Sequence, residues 1–321
     1  MSNEVLNIHF PILERFQTIR IKQLLAHAYL FVGPTEIGKS ETALAIAKAF
    51  NRANPDNGKP CEACRNCRRI NDGIHPDVHL LTLAEDAAAI KIEQVRELLA
   101  QTRLRPFEAE IKIFIVKDAE RMTIEGCNAL LKTLEEPTKS SLLLLTSSVP
   151  EKLLPTIRSR CQQIHFPTQS NEAILQYLEG EYVETFSHAH FLAFFADGCL
   201  KKARRLMEED FFTAKNAYLD DFLYNRDTDK FIKNIAADKE SAADLLKILM
   251  SWVRDAILIK SGVEDKRLIH LDRKNDLDNF QIKFTFNELN ALYQQVVQTQ
   301  KLLADNLNIR MALMILKEKI T

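Results

Sequence analysis

The stretch Ala28–Ser40 carries the first chemical signal in the chain. Gly33, Gly38, Lys39 and Ser40 stand at the G-x-x-x-x-G-K-S spacing of a phosphate-binding loop, with Pro34, Thr35, Glu36 and Ile37 between the glycines. The two glycines let backbone N–H groups turn inward around a β-phosphate. A helix starting at Ser40 points its positive end at the same phosphate. Lys39 can reach the β- and γ-phosphates, and Ser40 can hold magnesium. The expected cofactor is ATP or ADP with magnesium. A chance match in a surface loop is the plain alternative. The buried-type strand before the loop and the amphipathic helix after it argue against that.

Hydrolysis asks for more than binding. A phosphate-loop ATPase places an aspartate after its third strand to hold magnesium. Lys112–Val116 reads as that strand, and Lys117-Asp118-Ala119-Glu120 follows. Lys117, a cation, holds the expected aspartate position. Asp118 comes one place late, and a shift of one along a strand turns a side chain to the opposite face. Asp118 serves only if the strand ends early. The expectation is a damaged hydrolytic half, so that the chain alone is at most a weak ATPase.

Cys61, Cys64 and Cys67 form two overlapping C-x-x-C steps, which suits tetrahedral zinc. A structural zinc site takes four ligands, and Cys127, Cys161 and Cys199 lie far off in sequence. His75 is a candidate fourth ligand, although His75-Pro76-Asp77 equally suits a turn into a strand. Reduced thiols without metal remain the other reading.

The elements that must position these residues follow from the periodicity. A helix is expected within 11–27, with Ile12, Leu13, Phe16, Ile19 and Ile21 on its buried side. Strands are expected at 27–31, 75–83, 112–116, 141–146 and 163–166, alternating with helices, as in a parallel sheet covered on both faces. Thr123 can cap the helix from Ile124 to Glu136. Beyond Asn171 the strand signal fades. A small helical segment runs to about 210, and its basic run Lys201–Arg205 reads as a solvated helix face. Helices alone follow, among them 241–260 and 286–304, with Leu249, Trp252, Val253 and Ile257 as core. Asp272–Asp276 reads as a loop.

The chain has 321 residues, 46% hydrophobic, with 8 glycines and a formal charge of −1. That is room for about two to three domains. A near-neutral chain has no global positive field to draw it onto nucleic acid. The N-terminal residues do not read as a signal peptide, and no apolar run suffices to span a bilayer. Clustered cysteines fit a reducing cytoplasm.

Four strings now stand together: the phosphate loop, the cysteine knuckle, Asn128-Ala129-Leu130-Leu131-Lys132-Thr133-Leu134-Glu135-Glu136-Pro137, and Ser159-Arg160-Cys161. In these the chain resembles the bacterial replication clamp-loader subunits of the AAA+ class, strongly over 10–210 and in architecture beyond. The resemblance implies an α/β P-loop (AAA+) nucleotide domain with a parallel sheet over 1–168, a helical lid over 169–210 and an all-helical collar over 211–321 that joins a ring. It implies that Arg160 acts in trans on ATP held by a neighbour. A surface arginine, or one paired to a nearby carboxylate, is the plain alternative. It implies a polar sensor near Thr146 and a basic lid residue near Lys201. It implies γ/τ- and δ-type subunits as partners, with a sliding clamp and primed DNA reached through the complex, and no membrane. Two departures matter. Arg52 stands where family members carry a fourth cysteine. Lys117 favours the δ′ type over the catalytic γ/τ type, which keeps an aspartate–glutamate pair. A γ/τ-type ATPase and an unrelated P-loop NTPase are the alternatives.

Overall fold

The computed structural model describes residues 9–51, 61–84, 87–138, 140–181, 185–225, 228–304 and 308–320. Arg52 lies outside them. The chain divides into two compact units, Met1–Thr168 with Cys199–Lys201, and Gln169–Gly198 with Lys202–Thr321.

The first unit is a doubly wound sheet. Its elements are α1 (Phe10–Ile21), β1 (Ala28–Val32), α2 (Lys39–Phe50), α3 (Arg65–Asn71), β2 (Val78–Leu81), α4 (Ile92–Thr102), β3 (Lys112–Val116), α5 (Ile124–Glu135), β4 (Ser141–Ser147), α6 (Pro155–Arg160) and β5 (Gln162–His165). All pairings are parallel, in the order β2-β3-β4-β1-β5. The central strands carry unbroken apolar runs because both faces are covered. Tyr29, Phe31, Ile113, Ile115, Leu142 and Leu144 face a core shared with α1 and α2. The alternate residues Ala28, Leu30, Phe114, Val116, Leu143 and Leu145 face a second core shared with α4, α5 and α6. A period of two thus serves two layers from one run of residues.

Local chemistry sets the helix ends. The Thr123 hydroxyl accepts from Gly126 N–H at 3.2 Å and caps α5. Asp77, fully buried, accepts from the N–H groups of Phe107, Glu108 and Ala109 at 2.8, 2.8 and 2.9 Å, which fixes the turn feeding β3. Helix α1 ends earlier than its periodicity suggests. Gln23 takes a left-handed conformation at φ 56°, and Ile21, expected in the core, is 82% exposed at the helix end.

The second unit is helical: α7 (Asn171–Glu181), α8 (Phe186–Phe195), the greater part of α9 (Leu200–Glu208), α10 (Phe211–Leu219), α11 (Asp229–Ala237), α12 (Lys239–Lys260), α13 (Lys274–Ile282), α14 (Phe286–Ala304) and α15 (Ile309–Ile320). Leu249, Trp252 and Val253 are fully buried on α12, which packs on α13 and α14. The basic run on α9 is a solvated face, where Lys202 pairs with Asp197, Arg204 with Glu208 and Arg205 with Glu209. The expected loop at 272–276 is instead a 3-10 turn over Leu271–Arg273 that runs into the start of α13. Its charges are satisfied by pairing, with Arg273 bonded to Asp220 and Asp276 at 2.6 Å each.

Candidate nucleotide site

The phosphate loop joins β1 to α2. Gly33 is required by a close approach, since a Cβ there would lie 3.0 Å from the Phe166 Cβ and 3.1 Å from its carbonyl oxygen. Gly38 takes φ 107°, open to glycine alone at low cost, and forms the N-cap of α2. The loop therefore presents N–H groups and a helix N-terminus to the same point. A residue not singled out in the sequence secures it: His9, buried, donates from Nε2 to Ile37 O at 2.5 Å. No local pattern marks His9, because its partner lies 28 positions away.

A cavity of about 210 Å³ opens beside the loop, lined by Thr35, Glu36, Gly38, Lys39, Ser40, Glu41, Lys117, Asp118 and Lys201. Its lining carries three lysines and three carboxylates. Lys39 is 5% exposed and donates to Gly33 O and Pro34 O at 2.7 and 2.6 Å. Burial lowers its pKa, against the opposing fields of Asp118 and Glu120. Lys201 bonds Glu41 at 2.6 Å. Burial, the largest single influence, works to raise the Glu41 pKa, but that bond together with a backbone hydrogen bond and the fields of Lys201 and Lys117 holds the carboxyl below its usual range.

The end of β3 falls where the sequence placed it. The strand stops at Val116, so Lys117 and Asp118 no longer alternate across a sheet. Asp118 takes φ 50°, ψ 56°, and both residues line the cavity. Thr146, buried at the end of β4, is not among the lining residues. Its hydroxyl accepts from Asp118 N–H at 3.0 Å and so sets that left-handed turn from behind. Glu120 is drawn back as well, since its Oε1 accepts from Ser148 N–H at 2.9 Å and from the Ser148 hydroxyl at 2.7 Å.

Cys61, Cys64 and Cys67 come together, with their sulfurs within 4.8 Å of one another. Cys61 and Cys67 Sγ are 3.7 Å apart. Sulfurs about 2.3 Å from a tetrahedral zinc stand roughly 3.8 Å apart, so the Cys61–Cys67 pair matches two zinc positions and Cys64 lies near enough to supply a third. Hydrogen bonding from Cys64, first through its N–H, brings the Cys61 thiol down to about 6, and burial first of all pushes Cys67 up to about 12. His75, the candidate fourth ligand, is not brought into this cluster. Its Nδ1 accepts from Asp77 N–H at 3.2 Å and its Nε2 faces Glu108 at 3.3 Å.

Arg160 ends α6. Its Nη2 bonds Glu135 Oε1 at 2.7 Å and one Nη1 hydrogen goes to Thr156 O at 3.1 Å. The side chain stays 35% exposed. The structure thus shows the arginine paired to a carboxylate of its own chain.

The glycine loop, the five-stranded parallel sheet and the helical remainder define a phosphate-loop protein of AAA+ fold. The family profile described as DNA polymerase III, delta subunit, matches residues 8–170, and the profile of that subunit's C-terminal part matches residues 209–317. DNA polymerase III subunit delta' of Bacillus subtilis is 32% identical over 300 residues, 90% of this chain and 89% of that protein. The delta' subunit of Pseudomonas aeruginosa is 38% identical over 48% of this chain and 47% of its own. The tau subunit of Escherichia coli is 35% identical over 57% of this chain and 29% of its own. The chain belongs to the DNA polymerase III delta' subunit family. Among the described residues no helix is long and apolar enough to cross a membrane.

Proposed function

We propose that this chain braces a sliding-clamp loader, binds nucleotide with little turnover of its own, and lends Arg160 to the ATP site of a neighbouring subunit. Its partners in this reading are γ/τ- and δ-type subunits, with the clamp and primed DNA engaged through the complex. The domains are read as nucleotide domain 1–168, lid 169–210 and collar 211–321. The observation that carries the reading is the composition of one cavity. The phosphate loop is complete, yet Lys117 lines the same space where magnesium needs an oxygen ligand.

ATP or ADP would lie on Gly33–Ser40, with Lys39 leaving its two carbonyl partners for the phosphates. Ser40 and Asp118 are the groups that would hold magnesium, against the field of Lys117. Lys201 would leave Glu41 to meet phosphate. Cys61, Cys64 and Cys67 would hold one zinc with a fourth ligand outside the described residues or from solvent. Arg160, at the exposed end of α6, would stabilise charge developing on a neighbour's γ-phosphate.

One observation favours a second reading. Asp118 reaches the cavity, so a short γ/τ-type motor retains a carboxylate for its metal. ATPase assay of the isolated chain separates the two. Binding with near-background hydrolysis supports the bracing subunit, and robust turnover supports the motor.

A further inference from the structure

We infer that Glu135 is a positioning residue for Arg160: it parks the guanidinium on its own subunit and must release it before the arginine can engage a neighbour's triphosphate. The inference rests on the reading of Arg160 given above. Glu135 is the last residue of α5, inside the string Leu134-Glu135-Glu136-Pro137, and Arg160 is the last residue of α6. Chain connectivity does not bring them together; the packing of α5 on α6 does. A carboxylate at a helix C-terminus adds its charge to the negative end of the backbone dipole, so this end of α5 is a favourable resting place for a cation.

The competition is geometric. Guanidinium recognition of phosphate uses two N–H groups in a fork. Here both terminal nitrogens are occupied at home, Nη2 by Glu135 at 2.7 Å and Nη1 by the Thr156 carbonyl at 3.1 Å. These two bonds use two of the five guanidinium N–H groups and hold the group against its own subunit, so an arginine that reaches across to a neighbour's phosphate has to leave the home carboxylate. Glu135 is 52% exposed, and solvent-exposed pairs are weak. Parking therefore lowers the fraction of free arginine by no more than about fivefold, which leaves it easy to release. The contrast with Asp255 is informative. That carboxylate is fully buried, bonds Arg254 at 2.8 Å and also accepts from two backbone N–H groups, an arrangement with no freedom to let go.

The test uses the complete loader, assembled with its γ/τ- and δ-type subunits, clamp and primed DNA, carrying Glu135→Gln, Arg160→Ala or both. Glu135→Gln is expected to raise kcat/KM for ATP by up to about fivefold at low salt, and the gain should shrink as salt screens the wild-type pair. On the Arg160→Ala background the same change should do nothing. A merely structural Glu135 would show neither the salt dependence nor the dependence on Arg160. Full wild-type turnover by Arg160→Ala alone overturns the arginine reading itself. If Arg160→Ala lowers turnover but Glu135→Gln leaves it unchanged, lowers it, or acts equally without Arg160, the parking role is wrong and the arginine reading stands.

Discussion

Lys39 and Arg160 are the two cations on which the proposed function turns, and the molecule holds them in opposite ways. Lys39 is buried at the foot of α2 and its ammonium sits on two carbonyls of its own loop. Arg160 stands half out of the surface on one carboxylate and one carbonyl. The first is committed to a ligand that comes to it. The second sits where a modest competitor can take it. On the proposed reading, a lysine kept inside and an arginine kept at an edge would let the chain bind in one place and act in another.

The sharpest way to break that contrast is at the buried cation. Lys39→Ala should weaken ATP or ADP binding by about 10- to 100-fold, since bonds to charged groups are worth roughly 1.5–3 kcal/mol. Isothermal calorimetry on the isolated chain reads it. No binding by the wild type at millimolar nucleotide would mean that the intact loop is a relic.

A second test concerns the knuckle, which touches the same helix. Lys48 on α2, fully buried, donates to both carboxylate oxygens of Glu62 at 2.7 Å, so the knuckle and the phosphate-loop helix share a support. Protein prepared without chelators should carry about one zinc per chain by elemental analysis, and Cys67→Ser should lose it and melt several degrees lower. Wild-type protein free of zinc removes the metal from the account.

The smallest effect is expected at Lys117. Replacing it by Asp puts an oxygen ligand where the cavity has an ammonium. The ratio of nucleotide affinity with magnesium to that without should rise about fivefold to tenfold, in line with a contribution near 1 kcal/mol from one screened charge contact. An unchanged ratio would show that Lys117 does not set the metal dependence.

The sequence made the layers legible because unbroken apolar runs such as Ile113–Val116 and Leu142–Leu145 suit a parallel strand covered on both faces. The phosphate loop was legible because its glycines answer a close approach and a positive φ. Less legible were features set by distant partners. His9 grips Ile37 from the chain's start, and the Thr146 hydroxyl sets Asp118 across the sheet. The end of β3 at Val116 was legible, but the left-handed turn at Asp118 was not, because the Thr146 hydroxyl that sets it comes from another strand. Val116 is the last β3 residue paired in register on both sides, to Leu81 and Leu145. The charged stretch at 272–276 misled for a similar reason, since Asp220 lies 53 positions from Arg273 and turns a would-be loop into a pinned helix start.

The central claim is that Arg160 works on the nucleotide of another subunit. It is tested most directly by assembling the loader with Arg160→Ala and measuring ATP hydrolysis stimulated by clamp and primed DNA. An arginine supplied in trans can be worth about 10³–10⁵ in turnover at one site in other phosphate-loop systems. A ring with several sites should therefore lose the share of the site that Arg160 serves, and more if the sites fire together, while still assembling. An assembled mutant ring that hydrolyses ATP at the wild-type rate would contradict the account.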